Sequence, residues 1–326
     1  MSLSVTDPTY SVCVVIPAYN AEKYVGRAVE SVLAQSRPAD EIIVVDDGST
    51  DGTSGAVKRF GVKVKYIRQE NIGASSARNT GIKASRSEWI AFLDADDEWL
   101  PEKLKVQVAH LRWNNHLVWT NSDFFRDFGR YEPRKQARDA NMAEAILEGK
   151  EYFDSYFLAY QAGFYACTPT MIIKKQALEE VGLFRVGQLR ANDTDLWFRM
   201  AYRWPQIGYV SQPLVVVHLE TPESITKRYD QFSVRCELVE RHLKLSAELG
   251  QLEQFRPCAV QMLQRVIRDM VILRRGAETT AALEQFDDLL DRRFKREMRF
   301  RTSWPRLGAL LVKVLSMMKK PFRSKG

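Results

Sequence analysis

The first hundred residues of this chain alternate between short apolar runs and segments with helical spacing. The apolar runs are rich in β-branched residues, as strands are. They occupy residues 11–17, 41–46, 62–69 and 89–94. The helical segments lie between them, at residues 21–35, 53–60 and 73–84. Because strands so continuous in apolar residues are typical of a sheet covered on both faces, the pattern predicts an α/β fold with a doubly wound, mostly parallel, Rossmann-like sheet.

The pattern changes class near residue 225. Before it, further strands are predicted at residues 117–121, 170–173 and 209–218, and a helix at residues 193–202. After it, the apolar spacing predicts only helices, at residues 231–250, 254–275 and 281–294. We therefore divide the chain into three parts. They are an α/β domain at residues 1–225, a helical extension at residues 226–291 and a basic amphipathic tail at residues 292–326.

Composition excludes several classes of protein. A chain that is 45% hydrophobic and 27% charged is neither collagen-like nor wholly disordered. We find no signal peptide and no run of the roughly 20 apolar residues that a membrane span needs. The four cysteines show no CxxC spacing, which disfavours a disulfide framework or a zinc cluster and favours buried thiols in a reducing compartment. We therefore expect a cytoplasmic protein.

The net charge of +7 is concentrated at one end of the chain. Residues 292–325 hold 12 lysines and arginines against Glu297 alone, so this segment carries +11 and the remainder carries −4. From Trp304 to Lys320 the apolar residues fall on one helical face, which is typical of a basic amphipathic helix in a membrane interface. The alternatives are a helix packed on the core and a nucleic-acid patch. A wide apolar face with few aromatic residues disfavours nucleic acid.

Polar clusters follow three of the predicted strands. They are PAYN at residues 17–20, DDGS at residues 46–49 and DADD at residues 94–97. Ligands of doubly wound sheets bind at the carboxyl ends of the strands. We therefore expect the three clusters to converge on one rim of the sheet.

The second cluster opens the segment DDGSTDGT at residues 46–53. Its glycines and its Ser, Thr and Asp residues suit a capped turn between a strand and a helix, which is the purely structural interpretation. Asp46 and Asp47 are also placed where a carboxylate can accept a nucleobase N–H or bind ribose hydroxyls. The chain has no GxGxxG after the first strand and no GxxxxGK[ST], which disfavours a dinucleotide fold and a phosphate-loop NTPase.

The third cluster places Asp94, Asp96 and Asp97 within four residues. Such carboxylates repel one another unless a cation or a hydrogen-bond donor lies among them. Mg²⁺ and Mn²⁺ prefer oxygen ligands, and Mg²⁺ is usually held by one or two carboxylates together with substrate phosphates. The alternative is a solvated acidic loop that caps the helix starting near Pro101.

Four segments, taken in order and at their spacings, carry a resemblance that none of them carries alone. They are VVIPAYNAEKYVGRAVESVLAQ, EIIVVDDGSTDGT, QENIGASSARNTGI and WIAFLDADDEWLPEKL. Together they resemble the nucleotide-sugar-binding half of the family 2 inverting glycosyltransferases, which have the GT-A fold. The similarity covers residues 11–220, approximately.

The resemblance implies roles for the residues of the first two clusters. Pro17 and Tyr19 would frame the base of the donor nucleotide, with Tyr19 stacking on it. Asp47 would accept the base N–H, and Asp46 would lie beside it. Each of these is a binding role for a nucleotide-sugar.

The resemblance also implies a metal-binding role for the third cluster. Asp96 would bind the cation that bridges the donor diphosphate, and Asp94 would reach the ribose or a metal-bound water. Arg78 and Asn79 match a segment that lines the donor pocket in the family. The alternative for these two is a pair of polar residues on a solvated helix.

On the acceptor side, ANDTDLW at residues 191–197 is similar to a family segment in which a Glu-Asp pair opens a helix and the Asp is the catalytic base. Here Asn192 replaces the glutamate and Asp193 is retained. Without the like charge, we expect the pKa of Asp193 to be lower than in a Glu-Asp pair and the base to be weaker. An Asp at a helix start is also a common cap, and Asp195 is a rival base.

His218 ends a predicted strand and precedes Ser224. The family often has a His there, before a Ser-rich loop that contacts the diphosphate or the metal, so the resemblance makes His218 a candidate metal ligand. A structural strand-end histidine is the alternative. The QxxRW signature of processive members is absent, so we expect single or limited sugar additions.

These observations lead to the expectation of a metal-dependent inverting glycosyltransferase. It would move a sugar from a nucleoside-diphosphate sugar, by resemblance UDP-linked, to a hydroxyl of a glycan or lipid-linked acceptor in bacterial cell-surface polysaccharide or glycoconjugate synthesis. The expected cofactor is Mn²⁺ or Mg²⁺. The basic tail would bind the inner face of the cell membrane, and nucleic acid is not an expected partner.

Two alternatives come from other functional classes. A nucleotidyltransferase acting on a sugar phosphate would also use carboxylate-bound Mg²⁺ on an α/β fold, but it would release pyrophosphate. An inactive membrane-associated scaffold would keep the nucleotide-sugar fold without turnover. Asn192 is the feature that favours the scaffold.

Overall fold

A computed structural model describes residues 10–128, 135–136, 140–188, 190–219 and 231–304. The chain divides into two compact units, Met1–Tyr229 and Asp230–Gly326. The last described strand of the first unit ends at His218, and the described part of the second unit is helical from Gln231 onward.

The first unit contains the strands and the first eight described helices. The described strands are β1 (Val12–Ala18), β2 (Glu41–Asp46), β3 (Lys65–Arg68), β4 (Trp89–Phe92), β5 (Glu98–Trp99), β6 (Trp119–Asp127), β7 (Lys135–Gln136), β8 (Tyr152–Phe153), β9 (Ile172–Lys174) and β10 (Ile207–His218). The described helices are α1 (Val25–Leu33), α2 (Thr53–Lys58), α3 (Ala74–Ala84), α4 (Lys103–Trp113), α5 (Ala140–Leu147), α6 (Tyr156–Gln161), α7 (Lys175–Glu180) and α8 (Asn192–Arg203).

The described strands form one sheet in the order β3-β2-β1-β4-β9-β6-β10-β5, with β7 beside β6 and β8 beside β10. Strands β3, β2, β1 and β4 are parallel to one another. The short strand β9 runs antiparallel to both β4 and β6. The long strands β6 and β10 are parallel to each other. The predicted α/β fold with a mostly parallel sheet is therefore confirmed, and short antiparallel strands are added to it.

Apolar residues on both faces of the sheet explain the continuous hydrophobic runs. Every residue of β1 is buried, because helices cover the sheet on its two sides. The close packing of α3 on β1 requires Gly81, since a Cβ at this position would overlap the Val15 side chain. A larger residue at Gly81 would push α3 away from the sheet.

The carboxyl ends of β1, β2, β3 and β4 lie in register. Ala18 pairs with Asp46 across β1 and β2, and Asp46 pairs with Arg68 across β2 and β3. Just after β4, the Leu93 N–H donates to the Val15 carbonyl at 3.2 Å. The loops that carry the three polar clusters thus leave the sheet at one edge.

Two predicted elements have different bounds in the structure. The strand predicted at residues 62–69 is reduced to β3, because Gly61–Lys63 form a 3-10 turn in which Val62 is fully exposed. The single helix predicted at residues 281–294 is wrong. The Asp291 carboxylate accepts the Phe294 N–H at 2.8 Å and caps a new helix there, so the chain forms two helices separated by a turn.

The described helices of the second unit are Gln231–Glu248, Leu252–Ile272, Gly276–Gln285 and Arg292–Ser303. Their apolar faces meet in a core that includes Phe255, Leu263, Ile267 and Met298. No helix within the described ranges has the length and hydropathy of a membrane span. The amphipathic helix predicted from Trp304 onward lies outside the described residues except for Trp304 itself.

Lys103 on α4 is fully buried. Its Nζ donates to Gln107 Oε1 at 2.6 Å and lies 4.2 Å from the centre of the Trp99 ring. Burial lowers the pKa of Lys103 well below its ordinary value of 10.5. Burial of the charged amine therefore costs the folded protein a desolvation free energy that the unfolded chain does not incur.

We expect Lys103 to make stability depend on alkaline pH. Between its folded pKa and its unfolded pKa, the unfolded chain binds more protons, so the free energy of unfolding rises with pH. The desolvation cost of the Lys103 amine is fully present below the folded pKa and disappears as pH rises through the unfolded value of about 10.4.

Lys103→Met should remove this pH dependence, which is a slope of up to about 1.4 kcal/mol per pH unit in the free energy of unfolding. Urea unfolding from pH 7 to pH 10 measures it. Lys105→Met, on an exposed side chain, should keep the slope, and identical slopes in all three proteins would contradict the assignment.

Candidate active site

Hydrogen bonds to Asp47 connect the loop after β3 to the end of β2. Its buried carboxylate accepts hydrogen bonds from Gln69 Nε2 at 2.7 Å, from the Ile72 N–H at 3.1 Å and from the Gly73 N–H at 2.7 Å. Gly73 has a φ of +104°, which glycine adopts without a steric cost. The carboxylate that we expected to accept a base N–H thus accepts N–H groups of the protein in this structure, at the entrance to α3.

Asp46 stabilises the same rim through a buried carboxylate. It is fully buried, and its carboxylate accepts the Ser49 N–H at 2.8 Å and the Tyr66 hydroxyl. The Arg68 guanidinium lies 3.4 Å away. Burial alone would raise the pKa of Asp46, but the hydrogen bonds from Ser49 and Tyr66 and the charge of Arg68 together lower it below its ordinary value. Asp46 is therefore an ionised support for the loop after β2.

Tyr19 stands at the rim, directly after β1. Its side chain is 47% exposed, whereas Pro17 is buried within the strand. The next residue is tied to the second cluster, since the Asn20 N–H donates to Ser49 Oγ at 3.0 Å and Asn20 Oδ1 accepts the Thr50 N–H at 2.8 Å. The structure therefore presents an accessible aromatic ring on a backbone that the DDGST loop holds in place.

Arg78 and Asn79 are buried, so they do not lie on a solvated helix face. Arg78 donates to Asp94 Oδ1 at 2.6 Å, and its guanidinium lies 5.4 Å from the centre of the Phe184 ring. Asn79 donates to the Phe184 carbonyl at 2.8 Å and accepts the Phe184 N–H at 3.0 Å. Helix α3 thus links the third cluster to the segment that precedes α8.

The third cluster collects negative charge at the end of β4. The buried carboxylate of Asp97 accepts the His218 N–H at 2.9 Å. Burial, followed by the charges of Asp94 and Asp96, raises the pKa of Asp97 well above its ordinary value. The Asp96 carbonyl accepts a hydrogen bond from the Arg27 guanidinium. Carboxylates that repel one another in this way are what a bound cation would stabilise.

The donor set of this cluster fits a hard divalent cation. Its ligands are carboxylate oxygens, and Mg²⁺ commonly takes only one or two of them and completes its coordination with phosphates and water. Across the described residues, no group of three or more His, Cys, Asp and Glu side chains is arranged to hold a metal ion.

The backbone N–H of His218 contacts the third cluster at Asp97. Its imidazole ring lies beside two other carboxylates. The buried ring has Nδ1 3.1 Å from Asp127 Oδ2 and Nε2 3.7 Å from Glu98 Oε1. Strand β5, which carries Glu98, pairs antiparallel with β10 and brings this carboxylate to the histidine. The sequence pointed to His218 but not to its two acidic neighbours, because Glu98 lies on a strand of only two residues and Asp127 is a single carboxylate at the end of β6.

Asp193 lies in the first turn of α8, after Ala191, whose φ of +53° is left-handed. Its Oδ1 accepts the Thr194 N–H at 2.7 Å. Burial raises the pKa of Asp193; the Thr194 hydrogen bonds and the Arg78 charge oppose this shift, and the Asp94 charge adds to it. The charges of Arg78 and Asp94, which form an ion pair with each other, therefore both act on the candidate base.

Asp195, the rival base, has a different environment. It is fully buried and lies 2.8 Å from Arg199 Nη2 and 3.5 Å from Arg185 Nε. Arg199 in turn donates to the carbonyls of Val181 and Leu183. Asp195 therefore anchors α8 to the segment before it and offers no oxygen to an acceptor hydroxyl.

Asn192 connects α8 to α3. Its Nδ2 donates to Ser75 Oγ at 2.9 Å, and its Oδ1 accepts the Asp193 N–H at 2.8 Å. The residue that replaces the expected glutamate thus contributes hydrogen bonds that position Asp193. Ser75 and Arg27 were not identified from the sequence, because single polar residues on helices carry no pattern of their own.

We expect Asn192→Glu to shift the pH dependence of turnover. A carboxylate next to Asp193 would raise the pKa of the base further, because two like charges disfavour ionisation. The acidic limb of kcat/KM should therefore move to higher pH, with the plateau at high pH retained. A pH profile of nucleoside diphosphate release measures this, and Asn192→Gln, which adds no charge, is the control. An unchanged limb in Asn192→Glu would show that Asp193 does not titrate in the rate-limiting step.

The chain is similar in sequence to known glycosyltransferases. Residues 13–182 match Glycosyl transferase family 2. The uncharacterized glycosyltransferase RP339 of Rickettsia prowazekii is 28% identical over 266 residues, which cover 82% of this chain and 76% of the relative. Other rickettsial relatives are matched over 31% and 59% of their length.

Two further proteins are similar over different extents. WfgD of Escherichia coli, a UDP-Glc:alpha-D-GlcNAc-diphosphoundecaprenol beta-1,3-glucosyltransferase, is 39% identical over 108 residues, which cover 32% of this chain and 43% of WfgD. The crystal structure of S. aureus TarS 1-349 in complex with UDP-GlcNAc has a TM-score of 0.69 at 20% identity, covering 91% of this chain and 88% of that one. The fold is thus the GT-A-like fold of TarS, with an α/β unit followed by helices. With more than half of its residues matched to the family, this chain is a glycosyltransferase that belongs to glycosyl transferase family 2.

Proposed function

We propose that the chain transfers a sugar from a UDP-sugar to a hydroxyl of a glycan or lipid-linked acceptor, with inversion at the anomeric carbon. The observation that carries this proposal is the geometry of α3, which holds Arg78 against Asp94 and Ser75 against Asn192, the residue that accepts the Asp193 N–H. It joins a base of raised pKa to the donor-side carboxylates in one site. WfgD uses a UDP-sugar and the TarS complex contains one, which supports UDP as the donor nucleotide, and the acceptor of WfgD supports a lipid-linked acceptor. The diphosphoundecaprenol-linked acceptor of WfgD supports a role in cell-surface polysaccharide synthesis.

In the proposed reaction, Asp193 takes the proton of the acceptor hydroxyl as its oxygen attacks the anomeric carbon. A new C–O bond forms while the bond to the diphosphate oxygen breaks, so configuration inverts in one displacement. The proton ends on Asp193, and the nucleoside diphosphate leaves with the bonding electron pair. The raised pKa of Asp193 makes it a stronger base than an exposed aspartate, and such assistance contributes about 10²–10⁴-fold.

Asp96 is the residue that we propose to hold a Mn²⁺ or Mg²⁺ ion, with His218 as a further candidate ligand, and Asp94 would reach the ribose or a metal-bound water. When bound with the donor diphosphate, a divalent cation neutralises the charge that develops on the leaving group. Arg78 orients Asp94 from the opposite side through its ion pair. Tyr19 offers its exposed ring to the base, and Pro17, Asp46 and Asp47 hold the loops around it.

The test is release of nucleoside diphosphate from a panel of nucleotide sugars by the purified protein, with Mn²⁺, with Mg²⁺ and with EDTA. We expect release from one UDP-sugar that EDTA abolishes and that Asp96→Ala reduces at least a hundredfold, since charge stabilisation of this kind is worth several kcal/mol. Asp288→Ala, which changes an exposed carboxylate of the second unit, is the control for loss of an acidic side chain.

The products distinguish the alternatives. Pyrophosphate in place of nucleoside diphosphate would identify a nucleotidyltransferase. Donor binding in calorimetry without release, even with bacterial lipid extract as acceptor, would identify an inactive scaffold. Release that persists in EDTA would show that the acidic cluster works without a cation.

A further inference from the structure

The second unit carries an open, basic groove along its last described helix, Arg292–Ser303. The groove has a volume of about 590 Å³ and also includes Asp287 at its wall. Its lining residues are four cations, two aromatic side chains, one serine and one carboxylate. They are Arg292, Lys295, Arg296, Arg299, Phe300, Trp304, Ser303 and Asp287.

The cations of this groove exceed what its single carboxylate can neutralise. Asp287 is already engaged by Lys295, whose Nζ lies 2.7 Å from its Oδ1, and Arg299 lies 3.9 Å from the same oxygen. Arg292 and Arg296 are exposed and form no ion pair with any other described residue. Four positive charges against one negative charge leave the groove at +3, which suits a ligand with several anionic groups.

The aromatic residues give the groove an apolar end. Phe300 and Trp304 are 44% and 59% exposed, and their spacing of four residues places them near each other at the end of the helix. On its other face the helix is held by Phe294 and Met298, which are buried. The exposed aromatics are therefore not needed for the core of this unit. Exposed Trp and Phe beside arginines are the composition of a helix that lies in a membrane interface.

We propose that this groove binds the headgroup phosphates of an anionic lipid bilayer, with Phe300 and Trp304 at the level of the headgroups. The sequence beyond Trp304 extends the same chemistry, since residues 306–325 add six lysines and arginines and no carboxylate. Two aromatics at one end of the groove do not form a track along which bases of a nucleic acid could stack. None of the residues of the groove takes part in the proposed reaction, so the groove can be tested independently of catalysis.

The experiment is sedimentation of the full chain with vesicles of phosphatidylcholine alone and with 30% phosphatidylglycerol, at low and physiological salt. We expect binding to the anionic vesicles only, weaker at higher salt. The triple variant Arg292→Gln, Arg296→Gln, Arg299→Gln should bind roughly a hundredfold more weakly, at about fivefold for each charge near the surface. The double variant Phe300→Ser, Trp304→Ser should also bind more weakly, but with the salt dependence retained.

The matched control is Lys63→Gln, Lys83→Gln, Arg86→Gln, which removes three exposed cations of the first unit and gives the same net charge. It should bind as the wild type does. Equal losses in the two triple variants, binding to neutral vesicles, or no vesicle binding by the wild type would overturn the proposal. Binding of a DNA duplex that only the groove variant loses, without vesicle binding, would assign the groove to nucleic acid. Thermal unfolding and donor-dependent nucleoside diphosphate release verify that each variant is folded.

Discussion

Asp193→Asn is expected to lower kcat by about 10²–10⁴-fold, the usual contribution of a general base. The amide keeps the size of the side chain and can still accept the Thr194 N–H, but it cannot take a proton from the acceptor. Affinity for the donor should remain within a few-fold of the wild type, because the carboxylates of the donor side are untouched. Stopped or continuous assays of nucleoside diphosphate release, together with calorimetry of donor binding, measure the two quantities.

The pH profile gives a second, independent readout of the same residue. The wild type should lose activity as pH falls through the raised pKa of Asp193, because the protonated acid is no base. Residual activity in Asp193→Asn should lack this limb. A decrease of less than tenfold in kcat, with the limb unchanged, would place the catalytic base on another residue.

Asp195→Ala is expected to destabilise the protein by about 3–5 kcal/mol. Removal of one partner from a buried ion pair leaves an uncompensated charge, here on Arg199, whose side chain is only 12% exposed. The anchor of α8 on the carbonyls of Val181 and Leu183 would be disturbed as well. Urea unfolding monitored by tryptophan fluorescence measures the effect.

The control for this variant is Asp154→Ala, which breaks an exposed pair with Lys150. Such surface pairs are worth at most about 1 kcal/mol. If both variants cost the same free energy, Asp195 does not stabilise α8 in the way that its contacts indicate. The two variants Asp193→Asn and Asp195→Ala should thus have opposite profiles, one catalytic and one structural, although the residues are only two positions apart.

The donor half of the fold could be predicted from the sequence because its signals are local. Buried parallel strands require nearly continuous apolar runs, and β2 lies where its run predicts it. The order of strands and helices then dictates which loops share an edge, so the rim with its three polar clusters followed without knowledge of any contact. The family resemblance rests on the same loops.

What the sequence did not show are properties that arise between distant segments. The carboxylates of Asp46 and Asp47 accept hydrogen bonds from the protein, because β3 and the loop to α3 fold back on them. The two-residue strand β5 has too few residues for a periodic pattern, yet it brings Glu98 to His218. The helical pattern at residues 281–294 continued across a turn, because a capping Asp291 differs little from a polar residue on a helix face.

The position of β9 also has a consequence for synthesis of the chain on the ribosome. This strand completes the sheet between β4 and β6, but about 80 residues separate Phe92, the last residue of β4, from Ile172, the first residue of β9. At about 5–20 residues per second, the growing polypeptide carries β4 with an unpaired backbone edge for roughly 4–16 seconds. An exposed strand edge can pair with other chains and cause aggregation. We therefore expect the nascent chain to depend most on chaperones during this interval.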